Sequence, residues 1–422
     1  MKNILITTST LPASETDEVP AFVMDQAIEL KKLFPSLNIV MHAPHNTYSN
    51  TVKIAEKNSS YRVHRYHYFW PFKWELLAGR GIMPALKKNP LLYFQIPFLI
   101  FFHFISLLAV TLREKPELLY AHWFTPQAMT TALVSRITKI PFVFTTHASD
   151  VSVLNRFPFS KSLVNWVCRR ACSYIAVSES TAKKLTHFFA GASDERALTD
   201  KLSIIPMGVS TDVHRISESE RTKVLSRFRL PKDRQCMLFL GRLAEKKGVS
   251  CLLEAVAQLP STSARRLHLI IAGDGQLRGE LEDRSHRLGL TNVTFTGYVT
   301  GQDKWALIDT VDYACFPSII DSSGDAEGFP VAIMECLAAG KIVLSSNVTG
   351  AEKVINEYNA GFVFPEKSAA SLASLLENVL TLDQSRKNKL QTNAKRLALN
   401  YDWRTISQQH YSIFLKCCND GI

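Results

Sequence analysis

The sequence predicts an α/β protein built from two doubly wound domains. Three observations carry that prediction. Short β-rich runs alternate with helical periodicities along most of the chain, the order that builds a parallel sheet covered by helices on both faces. The order runs as far as Leu202 to Ile205, gives way to the charged segment Val209 to Arg234, and restarts at Gln235. At 422 residues the chain is long for one core and ample for two.

Lys2 to Thr8 reads as a first buried strand; its apolar run, Ile4 to Ile6, is too short for a signal peptide. Phe22 to Leu33 has helical spacing, with Phe22, Ala27, Leu30 and Leu33 apolar, and Asn38 to His42 is a second strand. Lys53 to Lys88 departs from this pattern. It carries eight Lys or Arg against Glu56 and Glu75, interleaved with aromatics such as Tyr66, Tyr68, Trp70 and Trp74. That mixture fits a nucleic-acid or membrane interface, or an ordinary strand and loop with solvated charge; the apolar run that follows favours the membrane. Leu91 to Leu112 is almost wholly apolar and meets the length of about 18 residues for a spanning helix. A span would separate the strands on either side of it, so an in-plane or core helix is the expectation. Strands follow at Leu118 to Trp123, Phe142 to Thr146, Ser173 to Val177 and Leu202 to Ile205. A domain is expected over residues 1–208, a second over 209–400, and a final helix at 401–422 packing back on the first.

In the second half, strands are expected at Gln235 to Leu240, Leu267 to Ala272, Val293 to Thr296, Tyr313 to Pro317, Ile342 to Ser345 and Gly361 to Phe364. Helices are expected at Val249 to Gln258, Gln276 to Leu288, Lys304 to Val311, Ala369 to Leu380 and Arg386 to Leu399. Ligands of such sheets sit outside the carboxyl ends of the strands, and two such domains imply a cleft.

Composition narrows the function. An apolar fraction of 46% and a charged fraction of 21% are globular values. A net charge of +11 suits an anionic partner. The eight cysteines form no CxxC and no zinc spacing, so buried free thiols are expected. No Walker loop, DxD pair or nucleic-acid module occurs.

Two stretches carry the chemistry. Gly241 and Arg242, then Lys247 and Gly248, follow a strand. A guanidinium, an ammonium and free N–H groups at a helix start suit a diphosphate. The other stretch is Asp321 to Gly340, DSSGDAEGFPVAIMECLAAG. Its polar loop (Ser322, Ser323, Gly324, Asp325) leads into a helix with Pro330 at the first position and Gly340 just past the end. Ile333, Met334, Leu337 and Ala338 make an apolar face, and Glu327 and Glu335 bracket the start. The same residues also describe a capped surface helix with solubilising acids. His147 and Asp150 follow a strand of the first half; on their own they fit a loop histidine and a helix cap. His122 reads as structural.

The second half resembles family 4 (group 1) of the retaining, nucleotide-sugar-dependent glycosyltransferases. The resemblance rests on Pro206-Met207-Gly208-Val209, GRLAEKKG, AGDGQLR, FTGYV, Phe316 to Ser318 and EGFPVAIMECLAAG, with Glu327 and Glu335 at the E-x7-E spacing. The GDAEGFPVAIMEC form is most similar to enzymes of bacterial exopolysaccharide and other cell-surface glycan (lipopolysaccharide) synthesis, and in the first half FVMDQAIEL, LLYAHW, TTHASD and AVSES are similar to family landmarks. The resemblance implies the GT-B fold, with two Rossmann-like domains facing across a cleft. It implies that Arg242 and Lys247, beside Gly241, hold the donor pyrophosphate. Glu327 would meet the sugar hydroxyls beside the backbone of Gly328, Phe329, Pro330 and Val331, Glu335 would contact the ribose, and His147 would lie near the reacting centre. Two departures stand out. The family's glycine-rich first loop is missing, since the first glycine is Gly79, leaving Thr7 to Thr10 and Ser14 to offer hydroxyls. The late Gly-x-x-Glu is one residue short, as Gly350-Ala351-Glu352, so Glu352 is not assigned.

The expectation is a hexosyltransferase without metal or other cofactor. It would move sugar from a nucleotide diphosphate to a glycan or lipid-linked acceptor, in the cytoplasm against the anionic inner face of the membrane, with no nucleic-acid partner. A GT-B epimerase or phosphorylase, and a non-catalytic nucleotide-sugar-binding subunit, are the alternatives.

Overall fold

The structure is a computed structural model and describes residues 1–12, 19, 21–45, 55–57, 60–78, 81–82, 85–86, 89–147, 149–156, 158–211, 216–322, 324 and 326–419. Ser14, Gly79, Ser323 and Asp325, named above, lie outside them. The chain divides into two compact units. Unit 1 is Met1–Gly208 with Trp403–Ile422, and unit 2 is Val209–Asp402.

Unit 1 holds β1 (Asn3–Thr7), β2 (Asn38–Pro44), β3 (Ala55–Lys57), β4 (Arg62–Tyr66), β5 (Leu118–His122), β6 (Phe142–Thr146), β7 (Ser173–Ala176) and β8 (Leu202–Ile204). They form one sheet in the order β3-β4-β2-β1-β5-β6-β7-β8. All neighbours run parallel except the β3–β4 pair at the edge. β1 lies between β2 and β5, so the order reverses there. The central strands are nearly continuous apolar runs because both faces are covered.

The basic run 53–88 proves only partly solvated. Arg65 is buried in β4 and donates to the carbonyls of Leu11, Pro12 and Pro44, while Arg62 pairs with Glu114. The apolar run begins as a 3₁₀ turn, Pro90–Gln95, and continues as the helix Ile96–Glu114. That helix packs on the sheet through Leu107 and Val110, against Leu5, Val40 and Leu119. The final helix, Trp403–Asn419, completes unit 1: Tyr411 stacks on Phe34 with centroids 3.6 Å apart, and Phe414 lies 4.8 Å from Tyr120. Gly208 meets the Trp403 ring so closely that a Cβ there would come within 2.3 Å of it.

Unit 2 holds β9 (Gln235–Leu240), β10 (Leu267–Ala272), β11 (Val293–Gly297), β12 (Tyr313–Phe316), β13 (Ile342–Ser346) and β14 (Gly361–Phe364). Their order, β11-β10-β9-β12-β13-β14, is that of the dinucleotide-binding fold, all parallel. Along β9, Cys236, Leu238 and Leu240 enter one core while Met237 and Phe239 enter another on the opposite face. That alternation is what doubly wound means physically.

Glycine is needed where loops leave the strand ends. Gly273 has φ +154°, and a Cβ there would lie 1.8 Å from the Gly241 carbonyl oxygen. Gly273→Ala is therefore expected to cost about 2–4 kcal/mol through strain and loop displacement. Chemical denaturation of the variant beside the wild type measures this, and an unchanged midpoint would refute it.

Candidate functional site

The site residues of unit 2 gather where the sheet order reverses, between β9 and β12. The loop after β9 carries Gly241, Arg242, Lys246, Lys247 and Gly248; the loop after β12 carries Glu327 and Gly328. Adjacent strands whose connections depart to opposite sides leave a crevice at their carboxyl ends. The two loops are tied together. Ile319 donates its N–H to the Lys246 carbonyl at 2.9 Å, and Ser322 gives both its N–H and its hydroxyl to the Glu245 carboxylate, each at 2.9 Å.

Across this seam lies a charge pair. Lys247 Nζ is 3.1 Å from Glu327 Oε2, and Lys246 Nζ is 3.7 Å from Oε1. All three side chains are largely buried, so one carboxylate is held against two ammonium groups in partial shelter from water, where the attraction exceeds that of an exposed pair. Gly241 lies against Lys247, whose Nζ would be 3.7 Å from an added Cβ. Arg242 is exposed and forms no ion pair among the described residues.

After Glu327 the chain runs through Gly328, Phe329 and Pro330 into the helix Val331–Ala338. Pro330 sits one position earlier than expected, as the cap with φ −65° and ψ 123°, and Val331 is the first helical residue. Phe329 stacks on Tyr401 at 5.3 Å. The helix ends as its sequence predicts. Gly340 has φ +71°, its N–H bonds to Leu337, and the Lys341 N–H bonds to Cys336, satisfying the last carbonyls. Ile333, Met334, Leu337 and Ala338 are buried. Glu335, on the opposite face, accepts from Lys304 Nζ at 2.7 Å.

Lys246 and Lys304 are the residues sequence reasoning missed. Lys246 stands beside Lys247 in the same motif, so the signal was present. Lys304 is 31 positions from Glu335, and only the packing of their helices reveals the pair. Glu352 starts the helix Glu352–Tyr358, with its Oε2 buried and unbonded among the described residues.

In unit 1 His147 follows β6. Its Nε2 lies 3.1 Å from His122 Nδ1, and its ring packs 4.6 Å from Trp123 and 5.3 Å from Phe22. Burial, and to a lesser degree His410, push its pKa down to about 3, so it is neutral at pH 7. Asp150 is buried and fixes the turn, accepting from the N–H groups of Phe124, His147 and Val151 and the Thr146 hydroxyl. Burial still raises its pKa, against those bonds. Trp123, with φ +72°, bends the chain sharply after β5.

Of the hydroxyls expected to face a phosphate after β1, those of Thr7, Thr8 and Thr10 turn inward instead, and Ser9 stays partly exposed. Thr7 Oγ1 lies 2.8 Å from His103 Nε2 and 3.1 Å from His42 Nδ1, and Thr8 donates to the Thr10 carbonyl. The Thr10 hydroxyl is buried. Burial overturns the expectation for these three threonines.

Metal-ligand types converge in one group among the described residues: His45, His67 and Glu75. Both imidazoles meet Glu75 Oε2, and Oε1 accepts from the N–H groups of Tyr68 and Phe69. The buried carboxylate is thereby held below its ordinary pKa despite desolvation, and the group pins the loop 67–75.

Comparison with known proteins gives the same picture. The model of Glycosyltransferase Family 4 matches residues 60–213 and that of Glycosyl transferases group 1 matches residues 220–397. An uncharacterised glycosyltransferase of Methanocaldococcus jannaschii is 26% identical over 71% of this chain and 75% of its own length. A Bacillus subtilis protein named as a glycosyltransferase of teichuronic acid biosynthesis is 26% identical over 88% of each chain. Among solved structures, Anabaena HepE with UDP is similar at a TM-score of 0.71, with 18% identity over 99% of this chain and 100% of the other. The same protein with UDP-glucose gives 0.69, with 18% identity over 98% and 99%. With both halves matched and the fold shared throughout, the chain belongs to the group 1, family 4 glycosyltransferases and has their GT-B fold.

Proposed function

We propose that the protein transfers a hexose, with retention of configuration, from a nucleotide diphosphate sugar to a glycan or lipid-linked acceptor of a cell-surface polysaccharide. The observation that carries this reading is the convergence of Lys246, Lys247 and Glu327 at the β9–β12 reversal. Transfer breaks the bond between the anomeric carbon and a phosphate oxygen and forms one to the acceptor oxygen. Negative charge collects on the departing diphosphate, which takes up the proton that the acceptor hydroxyl loses. Arg242 and Lys247 meet the diphosphate charge, and the exposed Arg242 is open to a bidentate contact. Glu327 accepts from sugar hydroxyls beside the backbone of Gly328 to Val331. Glu335, oriented by Lys304, accepts from the ribose. His147, neutral at pH 7, exchanges a hydrogen bond with a hydroxyl rather than carrying charge. With cations supplied by the protein and no DxD in the sequence, the reaction is read as metal-independent.

UDP-glucose is the first donor to test, because similar structures hold UDP and UDP-glucose. A thermal-shift screen of UDP-, GDP- and ADP-sugars is expected to single out one nucleotide. At 100 times its dissociation constant, a ligand stabilises by about 2.7 kcal/mol, a shift of several degrees if it is confined to one unit. No shift with any of them would overturn the reading. Release of free sugar or sugar phosphate, with no glycan product, would favour the epimerase or phosphorylase alternative.

A further inference from the structure

The helix Ile96–Glu114 is apolar on both sides. Leu99, His103, Leu107, Val110 and Thr111 are buried. At about 100° per residue, Phe98, Phe101, Phe102, Ile105 and Leu112 fall on the opposite side and all five are exposed, as is Phe94 in the preceding 3₁₀ turn. A surface helix ordinarily shows water a polar face. The stripe continues into a neighbouring loop: Phe69 packs edge-on against Phe94 at 5.7 Å and Phe98 at 5.4 Å, and Gln95 bonds to the Trp74 carbonyl at 2.7 Å. Beyond this junction Leu91 is 82% exposed, Trp70 78% and Trp74 54%.

We propose that this outer stripe, with the Trp70–Trp74 loop, is a docking surface for an anionic lipid bilayer, the helix lying in the plane of the interface. Charge is distributed as such a surface requires. No charged residue occurs from Pro90 to Leu112. Exposed Lys73 stands between Phe72 and Trp74, and exposed Arg113 and Lys115 follow the stripe. Cations at both ends of an apolar band, with tryptophan and tyrosine at one of them, match headgroups outside and acyl chains within. A second copy of the chain docked on this stripe would bring clusters of like charge together. The helix does not cross the bilayer. Its inner face belongs to the core of unit 1, His103 is bonded to Thr7 and Thr130, and β4 and β5 on either side of it share one sheet.

Co-sedimentation of the full-length protein with vesicles tests this independently of the donor chemistry. The protein is expected to pellet at low salt with equimolar phosphatidylcholine and phosphatidylglycerol, and much less with phosphatidylcholine alone. Leu91→Ser, Phe94→Ser and Phe101→Ser combined should lower the partition coefficient by about 100-fold. Because these side chains are exposed, thermal unfolding should match the wild type. Lys73→Glu should lower it by about tenfold on anionic vesicles only. Wild-type protein left in the supernatant, or a triple variant that pellets as well as wild type, would overturn the proposal. So would a dimer in lipid-free solution that the triple variant abolishes, since the stripe would then join two copies.

Discussion

Glu327→Gln is expected to lower kcat by about 100- to 1,000-fold while UDP binds as tightly as before or more tightly. The two halves of this result have separate causes. Glutamine keeps the shape of the side chain but removes the charge that Lys247 and Lys246 face at 3.1 and 3.7 Å. The Lys247 ammonium then becomes available to phosphate, which favours UDP. The sugar hydroxyls lose an anionic acceptor, which disfavours turnover. Lys247→Ala should act in the opposite sense on binding, weakening UDP by about 1.5–3 kcal/mol, the range of a hydrogen bond to a charged group. Titration calorimetry with UDP and steady-state kinetics on each variant separate the effects. If Glu327→Gln lost UDP affinity together with kcat, the residue would be holding the loop rather than meeting the sugar. If it turned over at the wild-type rate, the site would have been misread.

Unit 1 is expected to unfold in mild acid, before unit 2 does. His42, His103, His122, His147 and His410 all lie in unit 1, and burial pushes every one of them down, to about 3 for His103 and His147 and about 4 for His410. In an unfolded chain each would titrate near 6.5. Below that pH the unfolded state binds protons that the folded state refuses. Stability therefore rises with pH through this window and is lost as pH falls from about 6.5 toward the folded values. Each histidine contributes about 1.4 kcal/mol per pH unit, so five together cost about 7 kcal/mol for each pH unit below about 6.5, comparable with the whole stability of a domain. Asp150 works in the opposite direction, because its raised pKa relieves part of the loss once it protonates. In unit 2, burial lowers His268. Tryptophan fluorescence followed against pH reports this directly, since five of the six tryptophans are in unit 1 and Trp305 is in unit 2. A first transition between pH 6 and 5 is expected. A single transition below pH 4 would show that the histidines are hydrated or relax on protonation.

Much of unit 2 was legible in the sequence because its elements obey simple periods. Ala369–Leu380 and Gly361–Phe364 coincide with their expected bounds, and the helix Val331–Ala338 announces its end through Gly340. Unit 1 was less legible. The helices Met129–Thr138 and Ser160–Arg170 were not singled out, since threonines, aromatics and charges blur their apolar faces. The basic run concealed β4, because a buried arginine reads the same as a solvated one until its carbonyl partners are known. The meeting of the Lys247 and Glu327 loops follows from strand order alone. The fate of the Thr7 and Thr8 hydroxyls does not, since burial is a property of the packed sheet.

The partition of the chain also bears on how it is made. The helix Trp403–Asn419 packs on elements synthesised at the start, with all of Val209–Asp402 emerging from the ribosome in between. At about 5–20 residues per second, that interval lasts roughly 10–40 s. Through it the nascent unit 1 carries its first strands and helices without the helix that covers Tyr120 and Phe34. Unit 2 can close on itself as soon as it is complete, while the earlier unit waits for residues 403–419. The part of the protein translated first is thus the part whose folding finishes last.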